Sequence, residues 1–364
     1  MRGGIAHYIA LLSRTLSDRG HDVRVLSFKR QYPSILFPGK TQQDDGKELI
    51  PVRASAVLDS VNPLTWIRAF FWLKRVRPDL LVFKYWMPFF APCYASVAYL
   101  ARTLLRIPVA FLCDNIRPHE KKIGDSLLSD LALRFPDFFI VQSRSVLNDL
   151  LDFRPDAAYR DVPHPVYEIF PAPAGKAEAR KRLGLPKGRV MLFFGYIRAY
   201  KGLSVLIDAM PSVLKRLSIR LLVCGEFYEG RSETFERIRS LELEAHVTVF
   251  DRFIPNEAVA DFFCASDVVV LPYLSATQSG IVQVAYRYDK PVIATGVGGL
   301  PEVVQDNRTG FIVPAGRPDA LADAVVRFYE QKKEAEFVRN VKEEKKKFSW
   351  DRMAEAIESF GRKV

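Results

Sequence analysis

Short apolar runs, each released into a loop of small and polar residues that opens a helix, set the narrowest limits on what this chain can fold into. The clearest example is residues 267–305. An apolar run at 267–271 reads as a buried strand. It enters the loop Ser275-Ala276-Thr277-Gln278-Ser279-Gly280, and a helical pattern follows over 281–288. Pro291-Val292-Ile293-Ala294-Thr295 is a second buried-strand pattern. Gly298-Gly299-Leu300-Pro301-Glu302 then turns into another helix. The first loop has the chemistry of an anion site. Thr277, Gln278 and Ser279 offer side-chain donors, Gly280 lets a ligand approach the backbone, and a helix N-terminus presents unpaired N–H groups. The same residues also suit an ordinary strand-to-helix turn with Ser279 as N-cap. Local spacing does not choose between the two.

A second unit of the same kind stands upstream. The run at 189–194 ends in Gly195-Tyr196-Ile197-Arg198-Ala199-Tyr200-Lys201-Gly202, and a helix follows over 203–217. A strand, a glycine, two spaced cations, a second glycine and a helix make an anion cradle. The Arg198 guanidinium is a planar fork for two phosphate oxygens, and Lys201 is a point charge at the helix start. The spacing is not that of a GxxxxGK[ST] phosphate loop.

These two stretches resemble the C-terminal half of a retaining, GT-B fold glycosyltransferase of group 1, family 4. The residues that carry the resemblance are the Arg198 and Lys201 loop, Pro291 to Thr295, Gly298 to Val304, and Gly310-Phe311-Ile312-Val313. The resemblance implies two Rossmann-like doubly wound α/β domains facing across a cleft. It implies a nucleotide-sugar donor and a hydroxyl acceptor, either a sugar or a lipid-linked one. Arg198 and Lys201 would neutralise the departing diphosphate. Gly195, Gln278, Ser279 and Gly280 would hold the sugar and distal phosphate, and backbone groups at Phe253 and Ile254 would bracket the base. No metal or other cofactor is expected. One departure stands out: the family's usual pair of glutamates falls on Ala276 and Val284, with Gln278 and Gln283 the nearest polar residues. That departure keeps open a nucleotide-sugar-binding protein without transferase activity.

The first half repeats the strand–helix alternation. Gly3-Gly4 runs into a helical pattern with Ile5, Tyr8, Ile9, Leu11, Leu12 and Leu16 on one face. In the resembling family that glycine pair lies near the donor phosphates, after a first strand, so a truncated start is expected. Residues 63–76 combine Leu64, Trp66, Ile67, Phe70, Phe71 and Trp72 with Arg68, Lys74 and Arg75. Such a helix either lies in an anionic membrane interface or packs on the core with its basic stems covering the edges. The strand at 79–83 runs out to Tyr85 and Trp86. A loop at the carboxyl edge of a parallel sheet is where ligands bind, so both are acceptor-side candidates, and both also suit aromatic packing. The strand at 108–112 runs into Asp114-Asn115-Ile116-Arg117-Pro118-His119-Glu120. Asp114 or His119 is placed to orient an acceptor hydroxyl or take its proton, with Asn115 beside them. Both also suit a capped turn and a solvated loop.

Proline-rich residues 162–175 read as a hinge, with His164 in a structural role. The expected organisation is an acceptor-side domain over 1–165, a donor-binding domain over 166–345, and a last helix over 346–364 crossing back to the first. The 364 residues carry a net charge of +11, dispersed over both halves. A dispersed surplus argues against a nucleic-acid partner and suits phosphorylated ligands or an anionic surface. The four cysteines show no metal-ligand spacing, which points to a reduced, cytoplasmic protein. No apolar run reaches the roughly 18–20 residues of a membrane span. The role expected is polysaccharide or glycolipid synthesis at the cell surface, with peripheral contact at the inner membrane face.

Overall fold

The computed structural model describes residues 4–33, 50–118 and 123–361. In chain order these form α1 (Gly4–Asp18), β1 (Val25–Arg30), β2 (Ala54–Asp59), α2 (Pro63–Val76), β3 (Leu81–Tyr85), α3 (Ala91–Leu105) and β4 (Val109–Cys113). There follow α4 (Asp125–Leu133), β5 (Phe138–Val141), α5 (Arg144–Phe153), β6 (Tyr159–Asp161), α6 (Lys176–Arg182), β7 (Arg189–Phe194) and α7 (Leu203–Leu214). Next are β8 (Ile219–Cys224), α8 (Arg231–Ser240), β9 (Val247–Phe250), α9 (Val259–Ala265), β10 (Val268–Leu271) and α10 (Gly280–Arg287). The chain closes with β11 (Val292–Thr295), α11 (Leu300–Val303), β12 (Gly310–Val313), α12 (Pro318–Glu330), α13 (Glu334–Glu344) and α14 (Trp350–Gly361). Backbone contacts divide the chain into two compact units. One takes in residues up to Pro165 together with those from Ser349, and the other is Val166–Phe348.

The second unit is a six-stranded sheet of order β12-β11-β10-β7-β8-β9, parallel throughout. Its central strands are buried on both faces, so they read as unbroken apolar runs rather than alternating ones. Val268, Val269, Val270 and Leu271 of β10 are all fully buried. From β7 the chain winds outward through β8 and β9. It then returns to lay β10, β11 and β12 on the other side. The winding therefore reverses between β7 and β10, and the loops leaving those two strands flank a crevice at the carboxyl edge. Asp267, 4% exposed, fastens the opposite edge. Its carboxylate accepts from Val190 N (2.7 Å), Arg180 Nη2 (2.9 Å) and the Tyr329 hydroxyl (3.1 Å), and it pairs with Lys176.

The first unit holds a parallel sheet of order β3-β4-β5-β6 and a separate parallel pair, β1-β2. Strand alternation gives β3 two faces. Phe83 and Tyr85 pack on Tyr94 of α3, while Lys84 reaches the Tyr8 ring of α1. Helix α14 packs on α1, with Trp350 edge-on to Tyr8 and Phe360 stacked on Phe138 at 4.5 Å. No helix among the described residues is long and apolar enough to cross a membrane.

Candidate active site

In the second unit, β7 delivers Gly195 and a loop that closes in a tight turn, Ala199–Lys201. Gly202 follows at φ +67°, and a Cβ there would meet the Pro272 carbonyl oxygen at 1.9 Å. Only glycine permits that approach, and it presses the loop after β7 against the loop after β10. The Leu274 amide donates to the Tyr200 carbonyl at 2.7 Å and joins the same two loops. Gly298, at φ +51°, lies as close to the Ala276 carbonyl and fastens the second loop from its other side. Thr295 Oγ1 adds a bond to the Tyr273 carbonyl at 2.6 Å.

The cations stand inside this frame. Lys201 is buried, and a methyl built on Gly195 would lie 2.9 Å from its Nζ and 3.3 Å from Ile281 Cδ1 in the first turn of α10. The ammonium therefore sits between the β7 exit and the start of α10. Arg198 lies over the Tyr228 ring, 4.9 Å from its centroid. Among the described residues neither cation has a carboxylate partner. Burial, with the Arg198 charge adding to it, pushes the Lys201 ammonium down to about 8. A buried cation without a counter-ion is costly unless an anion arrives.

Helix α10 starts at Gly280 with Ser279 as N-cap, but the Ser279 side chain makes no capping bond. Its hydroxyl lies 3.3 Å from the Tyr273 hydroxyl instead. Gln278 is half-buried in the same loop. A Cβ on Gly280 would touch the Tyr167 ring at 3.2 Å. Ala276 and Val284, the two positions of the expected glutamates, are both buried. Gln283 is 1% exposed, and its Oε1 has no hydrogen-bond partner among the described residues. Ile254 is buried and Phe253 half-buried. The Phe253 ring stacks at 6.5 Å on Tyr196, which lies 4.7 Å from Tyr228. These three rings come from the ends of β7, β8 and β9, and the sequence reading missed both tyrosines.

The carboxyl edge of the first unit carries a second cluster. Asp114 follows β4, and its Oδ1 lies 2.5 Å from Lys84 Nζ. The ammonium also sits 3.6 Å from the Tyr8 ring centroid, and the Tyr8 hydroxyl accepts from Gln142 Nε2 at 2.8 Å. Burial holds the Lys84 ammonium below its usual range, and Asp114 opposes that shift. His164, also buried, is pushed down to about 4, first by burial and then by the Lys84 charge. Its imidazole is neutral at pH 7, and its Nδ1 lies 2.7 Å from the Pro165 carbonyl. Asn115 Nδ2 donates to the Trp86 carbonyl at 3.2 Å, and Trp86 Nε1 donates to the Tyr32 hydroxyl at 3.0 Å.

Tyr85 corrects the sequence reading. Its ring is fully buried against Phe111 and Tyr94 and cannot touch an acceptor. The strand extends to residue 85, and that parity turns the ring into the core. Lys84, one residue earlier, points to the opposite face of β3, where it is buried beside Asp114 and the Tyr8 ring. Gly4 is the first residue of α1, while Gly3 and His119 lie outside the described residues. No group of three His, Cys, Asp or Glu side chains placed to hold a metal ion occurs among the described residues.

A doubly wound sheet with uncompensated cations at its switch point defines a class, the Rossmann-like proteins built to hold phosphorylated ligands. Residues 188–331 match the family of glycosyl transferases group 1, and residues 3–163 match the glycosyl transferase 4-like domain. Among relatives, the D-inositol 3-phosphate glycosyltransferase of Acidothermus cellulolyticus is 28% identical, aligned over 98% of this chain and 84% of its own length. The same-named protein of Saccharomonospora viridis is 30% identical over 72% of this chain and 63% of its own. Two solved structures share the fold. Anabaena HepE in complex with UDP-glucose has a TM-score of 0.76 at 19% identity, covering 100% of this chain and 97% of that one. The sucrose-phosphate synthase of Thermosynechococcus elongatus has a TM-score of 0.73 at 20% identity, covering 99% and 93%. The chain belongs to the group 1, family 4 glycosyltransferases, and its fold is GT-B. It is a transferase enzyme.

Proposed function

We propose that this glycosyltransferase moves a sugar from a nucleoside-diphosphate donor to a hydroxyl acceptor with retention, in polysaccharide or glycolipid synthesis on the cytoplasmic side of a membrane. The observation that carries the donor half is the Arg198 and Lys201 pair, two cations without carboxylates at the switch point of the second unit. As the sugar–phosphate bond breaks, negative charge grows on the leaving diphosphate. A preformed pair of cations stabilises that charge more than it stabilises the intact donor. The chain's own cations take the place a metal ion would have, so activity should survive a chelator. Gln278, Ser279 and Gly280 hold the sugar and distal phosphate at the start of α10. The base lies against Phe253, with Tyr196 and Tyr228 beside it. Asp114, held by Lys84, orients the acceptor hydroxyl.

The test is an assay of nucleoside diphosphate release from UDP-, GDP- and ADP-sugars, with inositol 3-phosphate among the acceptors and the product anomer read by NMR. Release with one nucleotide class and a product anomer matching the donor is the expected result. Binding of a donor without release, consistent with Ala276 and Val284 in place of glutamates, would overturn the transfer. An inverted anomer would overturn retention.

Peripheral membrane contact rests on α2, through part of the apolar set named from the sequence. Trp66 is half-buried and donates its Nε1 to the Asp59 carbonyl at 2.9 Å, and Trp72 is half-buried too. The outward face is Leu64, Ile67 and Phe71, 65%, 49% and 58% exposed, flanked by exposed Arg68, Lys74 and Arg75. Burying three such side chains in a headgroup layer favours binding by on the order of tenfold or more. Replacing all three by serine should lower co-sedimentation with phosphatidylglycerol vesicles by that factor. Equal pelleting of variant and parent would sink the contact.

A further inference from the structure

The ladder between β7 and β8 continues past both strand ends. The Ile197 amide donates to the Glu226 carbonyl at 2.9 Å, and the Tyr228 amide donates to the Ile197 carbonyl at 3.0 Å. Ile197 and Phe227 form a parallel bridge. Glu229 adds a further tie, its Oε1 accepting from the Ala199 amide at 2.7 Å. Ile197 is buried in the core of the second unit, and the Arg198 backbone is extended, at φ −134° and ψ 155°. Alternation along an extended chain puts Tyr196 and Arg198 on the face opposite to Ile197. The Tyr228 ring covers that face. Its centroid lies 4.9 Å from the Arg198 guanidinium carbon and 4.7 Å from the Tyr196 ring. Lys201 has a similar neighbour, with its Nζ 5.7 Å from the centroid of the buried Tyr273 ring. Both cations of the cradle thus lie against a tyrosine ring, and among the described residues neither pairs with a carboxylate.

We propose that Tyr228 is the positioning residue for Arg198: its ring face holds the guanidinium ready for the diphosphate and leaves the positive charge unspent. The inference rests on the donor role given to Arg198 above. A long side chain without a partner samples many rotamers, and ordering it when the ligand arrives costs affinity. A carboxylate would order the guanidinium, but it would also cancel the charge and take the charge-assisted hydrogen bonds meant for phosphate oxygens. An aromatic face orders the side chain without doing either. It attracts the cation through the ring quadrupole, and that attraction is weak beside the pull of a phosphate. The tie between the loops makes the arrangement rigid, because Tyr228 hangs from the Ile197 carbonyl, one residue before the cation it meets. A group preorganised in this way stabilises developing charge without rearranging during the reaction. Tyr228 therefore acts through Arg198, not on the donor.

The experiment measures the Kd of UDP, GDP and ADP by calorimetry on the 364-residue chain. Tyr228→Leu, which removes the ring face, should weaken the nucleotide class that binds by on the order of tenfold. Tyr228→Phe should recover most of that loss. In an Arg198→Ala background Tyr228→Leu should add nothing, because the group it positions is gone. Fluorinated phenylalanines at the same position keep the test sharp if the leucine variant folds poorly. Each fluorine draws negative charge from the ring face at nearly constant shape, so affinity should fall stepwise from mono- to trifluorophenylalanine. Equal weakening by Tyr228→Leu in both backgrounds would show the ring touching the nucleotide itself and would overturn the proposal. A flat fluorine series would overturn it too, since packing alone does not sense the charge of the ring face. Failure of the donor reading looks different: either none of the three nucleotides binds the parent, or Arg198→Ala binds as tightly as the parent does.

Discussion

Replacing Arg198 and Lys201 together by alanine should abolish the response to nucleoside diphosphates and lower kcat/KM by about 10³-fold or more. Removing one donor that stabilises charge developing in a transition state costs roughly 10²–10³. Two groups acting on one diphosphate do not add simply, so the expectation is the upper figure for a single group, about 10³, rather than the product of two. A ligand at 100 times its Kd stabilises the folded state by about 2.7 kcal/mol, and the double variant should show none of that gain. A melting-temperature rise with UDP or GDP that is equal in variant and parent would move the donor site elsewhere. The buried ammonium adds a pH signature. Its ordinary pKa is 10.5 and its folded value about 8. Between those values the unfolded chain holds a proton that the free folded protein does not, so the stability of the free protein rises with pH across that window. A shift of this size corresponds to about 3 kcal/mol. Bound diphosphate keeps Lys201 charged, so donor affinity should fall as pH climbs above 8. Lys201→Met should flatten both trends.

Asp267→Ala should cost the second unit about 3–5 kcal/mol, the range for breaking a buried charge pair by removing one partner. The carboxylate holds the Val190 amide near the start of β7 and the Arg180 guanidinium, and it also takes the Tyr329 hydroxyl. Alanine leaves all three without that acceptor and opens a void between β7 and β10. Those strands deliver the two loops of the proposed donor site, so activity should fall with stability. Asp267→Asn, which keeps the volume and one acceptor oxygen, should cost less. Hydrogen exchange at the amides of β7 and β10 is the appropriate readout. All four tryptophans, Trp66, Trp72, Trp86 and Trp350, belong to the other unit, so their fluorescence would report the wrong transition. Unchanged exchange in Asp267→Ala would show that the hub contributes nothing.

Features whose cause is local were legible in the chain. The strand at 268–271, the glycine-bounded loop at 195–202 and the helix at 63–76 each announce themselves within a few residues, through apolar runs, turn residues and periodicity. Asn62 caps that last helix by accepting from the Leu64 amide. Partnerships across many residues were not legible. Nothing near Asp114 in the sequence indicates Lys84, thirty positions earlier. Nothing near Tyr196 indicates Tyr228, because each belongs to the end of a different strand. The Tyr85 error came from strand parity, where one residue of extension moves a side chain to the other face. The sequence left the tryptophans of α2 unassigned between core and surface for a related reason. Helical spacing groups residues into faces but does not say which face meets the core.

By itself the sequence determined the strand–helix alternation, the glycine-bounded loop with two cations at 195–202 and the family, because each is written in short stretches of chain. The tertiary structure decided which loops meet at the switch point. It also decided that Lys201 is buried without a counter-ion and that Lys84 holds Asp114. Those outcomes depend on strand order and on burial. Both are fixed by packing between segments far apart in the chain, where no local pattern reaches.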